Sequence, residues 1–169
     1  APPLPSRIVD GLTHVKAALR IQTPQMLQEY LKQFANQPNS EWVLGTAPSP
    51  ILTQKDWILS LAQYCASSSV DKLVGLPLAL CLDGKLRQFE QGVHRWVPTN
   101  GQQTLVRPIP DRLLDPDLLT TVLKSQAHPQ LGVYNIDCSE QVELVKLVLE
   151  RGPVEDVWLE TVFDLFSQF

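Results

Sequence analysis

The sequence predicts an α+β domain in which a small antiparallel sheet is flanked by N-terminal and C-terminal helices. Three observations indicate this class. Apolar residues recur at the helical spacing of three and four in both terminal thirds and alternate at the strand spacing of two in the centre. Two turn dipeptides, Asp83-Gly84 and Asn100-Gly101, divide the central part. Because helices and strands fall in separate blocks, the sheet is expected to be antiparallel.

The N-terminal third begins with a proline-rich segment and continues with helices. Residues 1–6 contain three prolines, which favour an extended linker or a processed end of a larger protein. The rest, 7–169, is expected to form a single α+β domain. The predicted elements of this third are helices at 7–21 and 23–37, a strand at 41–46 and a helix at 53–66.

The central third is predicted to be a three-stranded meander over about residues 76–108. Its first strand alternates leucines with small residues up to Asp83-Gly84, which suits a type I′ turn. The second strand, 85–97, contains Gly92, where we expect a bulge.

A second turn, Asn100-Gly101, is expected to lead into the third strand at 104–107. In this register His94 lies opposite Arg107, so that His94, Trp96 and Arg107 share one face.

The C-terminal third is predicted to contain three helices and one strand. Asp115 precedes Pro116 as an N-cap, and Asp137 caps the next helix with Glu140 three residues later. Gly152-Pro153 ends that helix. The predicted elements are a helix from 115, a strand at 130–137, a helix from 137 and a final helix at 154–168.

Composition narrows the class of protein. The 169 residues carry a formal charge of −4 and are 44% hydrophobic, which excludes collagen-like repeats and wholesale disorder. Cys65, Cys81 and Cys138 are too few and too widely separated for a disulfide framework, and no histidine has metal-ligand spacing. We therefore expect a cytoplasmic protein with no metal and no cofactor. No run of about 18 apolar residues predicts a membrane span.

Basic and aromatic side chains of the predicted meander form one candidate partner surface. The stretch 84–112 has five basic and two acidic residues, a net charge of +3 within an acidic chain. Such a face suits a phosphate, a nucleic-acid strand or an acidic segment, although exposed strands also carry such residues merely to prevent edge pairing. The candidates are Lys85, Arg87, His94, Arg95, Trp96 and Arg107.

The final helix forms a second candidate surface because its apolar residues exceed one narrow stripe. The chain from Asp137 onward carries eight acidic and two basic residues, a net charge of −6, which complements the basic meander. The aromatic residues of this helix are Trp158, Phe163, Phe166 and Phe169. We expect them either to pack in the core or to anchor a partner.

Three functions fit these patterns. The leading hypothesis is a non-catalytic protein-interaction or regulatory domain that binds another protein or a second copy of itself. The alternative is an enzyme with a site assembled around Cys138, His94 or His128, and Asp137. The third hypothesis is a winged helix-like module that binds nucleic acid through the helix at 53–66 and the following hairpin. The acidic net charge of the chain disfavours this function.

Overall fold

The computed structural model describes residues 42–43 and 55–167 and confirms the α+β class. The segment 1–6, the two helices predicted over 7–37, and Phe169 lie outside the described residues. Within the described ranges, no helix has both the length and the apolar character needed to cross a membrane.

Five short strands and five helices make up the described chain. The strands are β1 (Trp42–Val43), β2 (Ala79–Leu80), β3 (Lys85–Arg87), β4 (Arg95–Val97) and β5 (Val133–Asn135). The helices are α1 (Lys55–Cys65), α2 (Gln103–Val106), α3 (Pro116–Thr121), α4 (Cys138–Glu150) and α5 (Asp156–Phe166). Short 3₁₀ helices cover Val70–Leu73, Pro110–Arg112 and Pro129–Leu131.

The hairpin predicted at Asp83-Gly84 is present, but its turn type differs. β2 pairs antiparallel with β3, with Leu80 opposite Leu86. The Gly84 N–H donates to the Cys81 carbonyl at 3.0 Å, and Gly84 has φ +82° while Asp83 does not adopt a positive φ. One left-handed glycine after the turn is the pattern of a bulged hairpin, so the type I′ prediction is wrong.

The three-stranded meander is not formed. The sheet around the hairpin has the order β1-β3-β2, and residues 103–106 are helical. The strand predicted at 85–97 is divided into β3 and β4, and β4 instead pairs in parallel with β5, placing Trp96 beside Tyr134.

Gln102 explains why the turn at Asn100-Gly101 does not form a hairpin. Its side-chain oxygen accepts hydrogen bonds from the backbone N–H and the hydroxyl of Thr99, both at 2.9 Å. Its amide donates to the Ile136 carbonyl at 3.1 Å, just beyond β5. These bonds direct the chain across the end of β5 and into α2, so it does not return along β4.

The two-stranded sheet β4–β5 separates two apolar clusters. Val97 and Val133 belong to the first cluster, which α1, β2, β3 and α3 complete. Trp96 and Ile136 belong to the second, with α2, α4 and α5. Successive side chains of a strand point to opposite faces, so each strand contributes to both clusters.

The predicted caps of α3 and α4 are confirmed. The Asp115 carboxylate accepts the N–H groups of Asp117 and Leu118 at 2.9 and 3.4 Å. The Asp137 carboxylate accepts the N–H of Glu140 at 2.9 Å. Each bond satisfies an N–H group that the first turn of a helix leaves without a partner.

Candidate functional site

A cleft of about 370 Å³ lies where α2, the end of α4 and the start of α5 meet, and we call it the terminal cleft. It contains two residues that the sequence singled out separately, Arg107 and Trp158. Val148 and Val154 contribute apolar surface, and Arg151 and Glu155 contribute charge. A cleft of this volume is large enough to hold a small ligand or one or two side chains of a peptide.

Trp158 forms a rigid wall of the terminal cleft. It is 3% exposed, and its indole N–H donates to the Leu105 carbonyl at 2.9 Å. This bond connects α5 to α2. Burial of the ring with its one polar group satisfied fixes the cleft before any partner binds.

The two arginines of the terminal cleft differ in their partners. Arg151 donates two hydrogen bonds of 2.6 Å to the carboxylate of Asp111. Arg107, the C-cap of α2, is exposed and forms no ion pair with any described residue. Arg107 is therefore available to an acidic ligand.

We expect Asp111→Asn to lower stability near pH 7 and to have a smaller effect near pH 3. The hydrogen bonds from Arg151 hold the pKa of Asp111 below its usual value of 3.8, against the opposing effect of burial. A lowered pKa in the folded state stabilises the fold above about pH 4 and ceases to do so as the pH falls through the folded value. Because solvent partly screens the pair, the loss at neutral pH is expected to be about 1 kcal/mol.

Urea denaturation at the two pH values measures this effect. Asp164→Asn is the matched control because Asp164 is exposed on α5 and has no ion-pair partner among the described residues. Equal losses for the two variants at pH 7, or a loss for Asp111→Asn that is as large at pH 3, would contradict the assignment.

A second cleft, of about 250 Å³, lies beside the outer face of α4, and we call it the histidine cleft. His94 and Trp96 lie in it together, as their shared strand face predicts. The Nδ1 atom of His94 lies 2.6 Å from a carboxylate oxygen of Glu140, and the Trp96 indole donates to the same oxygen at 3.3 Å. The His94 ring also stacks on Tyr134, with a centroid separation of 4.3 Å.

Glu140 is the residue of this site that the sequence analysis did not identify. It is 7% exposed, and the two hydrogen-bonding groups offset the cost of burying its carboxylate. Its only signal in the sequence is its position three residues after Asp137, where a glutamate normally bonds back to the N-cap. In this fold the side chain reaches His94 instead.

The predicted basic face is not continuous. Arg95 is 2% exposed, donates from Nη1 to the Gln88 carbonyl at 3.0 Å, and has no hydrogen bond at Nε. Arg87 forms two hydrogen bonds to Asp83 at 2.9 and 2.7 Å, and Lys85 is half-buried beside it on β3. Arg107 is not opposite His94, because the third strand that would have paired them is helical.

The aromatic residues of the final helix divide between core and surface. Trp158 is buried, while Phe163 is 69% exposed and Phe166 is partly exposed. Asp156 and Glu160 lie seven and three residues before Phe163, on the same side of α5, and make no ion pair with described residues. The end of α5 therefore combines apolar and acidic surface.

Among the described residues, no hydrogen bond or ion pair joins the candidates for an assembled catalytic site to one another. Cys138 is exposed at the start of α4 and lines neither cleft. The pKa of Asp137 is lowered by its bonds to the Glu140 N–H and the Ser139 hydroxyl, which fit a cap. The Nε2 atom of His128 lies 3.0 Å from the Leu123 carbonyl. The carboxylate partner of His94 is Glu140.

Within residues 42–43 and 55–167, no three metal-binding side chains converge on one point. Comparison of the chain with protein-family models, with curated proteins and with solved structures found no match. Any assignment of function therefore depends on the geometry of the two clefts.

Proposed function

We propose that the chain is a non-catalytic protein-interaction domain whose terminal cleft binds a partner segment that carries an apolar side chain next to a carboxylate. The observation that supports this proposal is the position of Arg107. Arg107 lines a cleft of mixed polar and apolar surface, and its side chain has no carboxylate partner among the described residues. An acidic group of a partner would supply that missing charge.

The cleft contains the two kinds of surface that such a segment requires. Val154, Pro108 and Pro153 offer accessible apolar area, above the buried Trp158 and Val148. Fully burying one aliphatic side chain there would contribute about 1.5–3 kcal/mol. A guanidinium binds a carboxylate through two parallel hydrogen bonds, which adds orientation as well as energy. Glu155, on the same rim, disfavours a second acidic group.

The cysteines support a reducing location for this domain, and we propose the cytoplasm. Cys65 and Cys81 are buried, and burial raises the pKa of the Cys65 thiol to about 12. A protonated, buried thiol is inert. Cys138 is free and exposed, a state that a reducing compartment preserves.

The test compares three peptides with the same apolar residues and with glutamate, glutamine or lysine at the variable position. We expect the glutamate peptide to bind most tightly and Arg107→Glu to weaken its binding at least about tenfold, because the variant places like charges together. Lys72→Glu is the matched control, since Lys72 is exposed and lies outside the terminal cleft. Fluorescence anisotropy measures the affinities.

Two results would overturn the proposal. One is equal affinity for the three peptides, and the other is an equal loss of affinity in Arg107→Glu and Lys72→Glu. Sedimentation of the free chain tests self-association separately. A dimer that Arg107→Glu dissociates would make a second copy of the chain the partner of this cleft.

A further inference from the structure

We infer that the histidine cleft binds a phosphate monoester, with Arg112, Lys146 and His94 as its donors. This site is separate from the terminal cleft and does not depend on the function proposed for it. The three side chains line one cavity of about 250 Å³, and each can donate hydrogen bonds to an oxyanion. They come from the Pro110–Arg112 segment, from α4 and from the residue preceding β4.

The charged groups around the histidine cleft leave a net positive charge that favours an anionic ligand. Asp111 is shared by two arginines: Arg151 forms two hydrogen bonds to it, and the Nε atom of Arg112 lies 3.7 Å from it. Arg95 is buried nearby and bonds to a carbonyl oxygen. Three guanidinium groups therefore share the Asp111 carboxylate, an excess of two positive charges. On the rim, Lys146 adds one positive charge and Glu143 and Glu150 add two negative charges, which leaves a net charge of +1.

The charges that surround Arg112 are consistent with this excess of positive charge. Burial lowers the pKa of Arg112, Asp111 opposes that effect, and the charges of Arg151 and Arg95 lower the pKa further. Arg112 donates one hydrogen bond, of 3.2 Å, to the His94 carbonyl, and a quarter of its side chain remains exposed to the cleft and solvent. An anion at this point would relieve the repulsion among the arginines.

His94 has one ring nitrogen that contacts Glu140 and a second that is left for a ligand. Its Nδ1 atom already contacts the buried Glu140 carboxylate, so Nε2 is the ring nitrogen left for a ligand oxygen. An imidazole ring donates from both nitrogens only when each carries a hydrogen, so His94 would contact Glu140 and a phosphate oxygen together in that form. The stacked Tyr134 holds the ring in this orientation.

The ligand is better described as a phosphate than as a carboxylate. A phosphate monoester presents three terminal oxygens that accept hydrogen bonds, one for each of the three donors, whereas a carboxylate presents only two. Glu143 and Glu150 lie on the rim, one turn before and one turn after Lys146. They would limit binding of ligands with further negative charge and would weaken binding of the phosphate itself.

The experiment titrates the full chain with phosphoserine and follows the indole N–H signals of Trp96 and Trp158 by NMR. We expect a saturable shift of the Trp96 signal and no shift of the Trp158 signal, which reports on the terminal cleft. Serine and sodium chloride at equal ionic strength are the controls. A Trp96 shift that sodium chloride reproduces, or that does not saturate, would overturn the inference.

Variants then assign the donors. Lys146→Gln is expected to weaken binding of phosphoserine about tenfold, the usual effect of one charge-assisted hydrogen bond, and Lys72→Gln to leave it unchanged. Lys146 is exposed and makes no hydrogen bond or ion pair among the described residues, so this variant tests the site without disturbing the fold. Glu143→Gln should tighten binding. Equal affinities for Lys146→Gln and Lys72→Gln would overturn the assignment.

A peptide containing phosphoserine distinguishes the two sources of the monoester. Equal affinity for the peptide and for phosphoserine would indicate a free phosphorylated metabolite, and tighter binding of the peptide would indicate a phosphorylated protein. Both results support the binding of a phosphate monoester in the histidine cleft. Weaker binding of both than of serine would contradict it.

Discussion

Replacing Gly132 with alanine is expected to lower the free energy of unfolding by more than about 4 kcal/mol, the largest effect of any single methyl group in the described chain. Gly132 has φ +75°, and an added Cβ would lie 2.2 Å from the Glu90 carbonyl oxygen and 2.6 Å from that of Val93. Both atoms belong to the backbone, so neither can move without displacing the chain that leads into β4. Urea denaturation followed by tryptophan fluorescence measures the loss.

Gly101→Ala is the matched control for this prediction. Gly101 also has a positive φ, +89°, but an added Cβ would meet no atom within 4 Å. That variant should lose only about 1–2 kcal/mol, the cost of left-handed backbone in a residue with a side chain. Similar losses of stability for the two variants would show that the close approach of the Glu90 and Val93 carbonyls to Gly132 does not affect the free energy of unfolding.

The Gly132 contact also positions the histidine cleft. The Gly132 carbonyl accepts the Arg95 N–H at 2.8 Å, at the start of the parallel pairing between β4 and β5. A displaced β4 would carry His94 and Trp96 away from Glu140. A variant that folds but has lost this register is therefore expected to lose the Trp96–Glu140 hydrogen bond as well.

The sequence predicted those features of the fold that depend on neighbouring residues. Asp115 and Asp137 cap their helices because each has a free N–H group within three residues, and this spacing can be read directly. The hairpin at Asp83-Gly84 was predicted for a similar reason. Its turn type was not, because Asp-Gly is common both in type I′ turns, where both residues have positive φ, and in bulged hairpins, where only the glycine does.

The parallel pairing of β4 with β5 could not be predicted in this way. Its partners, Arg95 and Val133, are 38 residues apart and have no common local signal. Asn100-Gly101 fits a hairpin as well as it fits the turn before α2. The bond from Gln102 to Ile136 decides between them, and it spans 34 residues.

In the candidate sites, too, the sequence predicted relations between neighbouring residues but not contacts between distant ones. His94 and Trp96 were correctly placed on one strand face, but the carboxylate that both contact belongs to Glu140, more than 40 residues later. Arg95 was grouped with the basic residues of a candidate partner surface, but it is 2% exposed. All three residues of β4 are buried, since the sheet lies between two apolar clusters.

Trp158→Ala is expected to cost about 3–5 kcal/mol of stability, the usual range for removing a buried aromatic side chain. The ring packs in the second apolar cluster, and its removal would also leave the Leu105 carbonyl without its donor. Trp158→Phe keeps most of the packing and removes only the indole N–H, so its loss should be about 1–3 kcal/mol. Chemical denaturation of both variants separates packing from the hydrogen bond.

Phe163→Ala provides the surface control, because Phe163 is exposed on the same helix and its removal should change stability by less than about 0.5 kcal/mol. A loss in Trp158→Ala no greater than that in Phe163→Ala would contradict the structural role of Trp158.

Trp158→Phe also separates stability from binding. If the terminal cleft depends on a rigid indole wall, this folded variant should bind the glutamate peptide more weakly. Phe163→Ala should bind the same peptide normally.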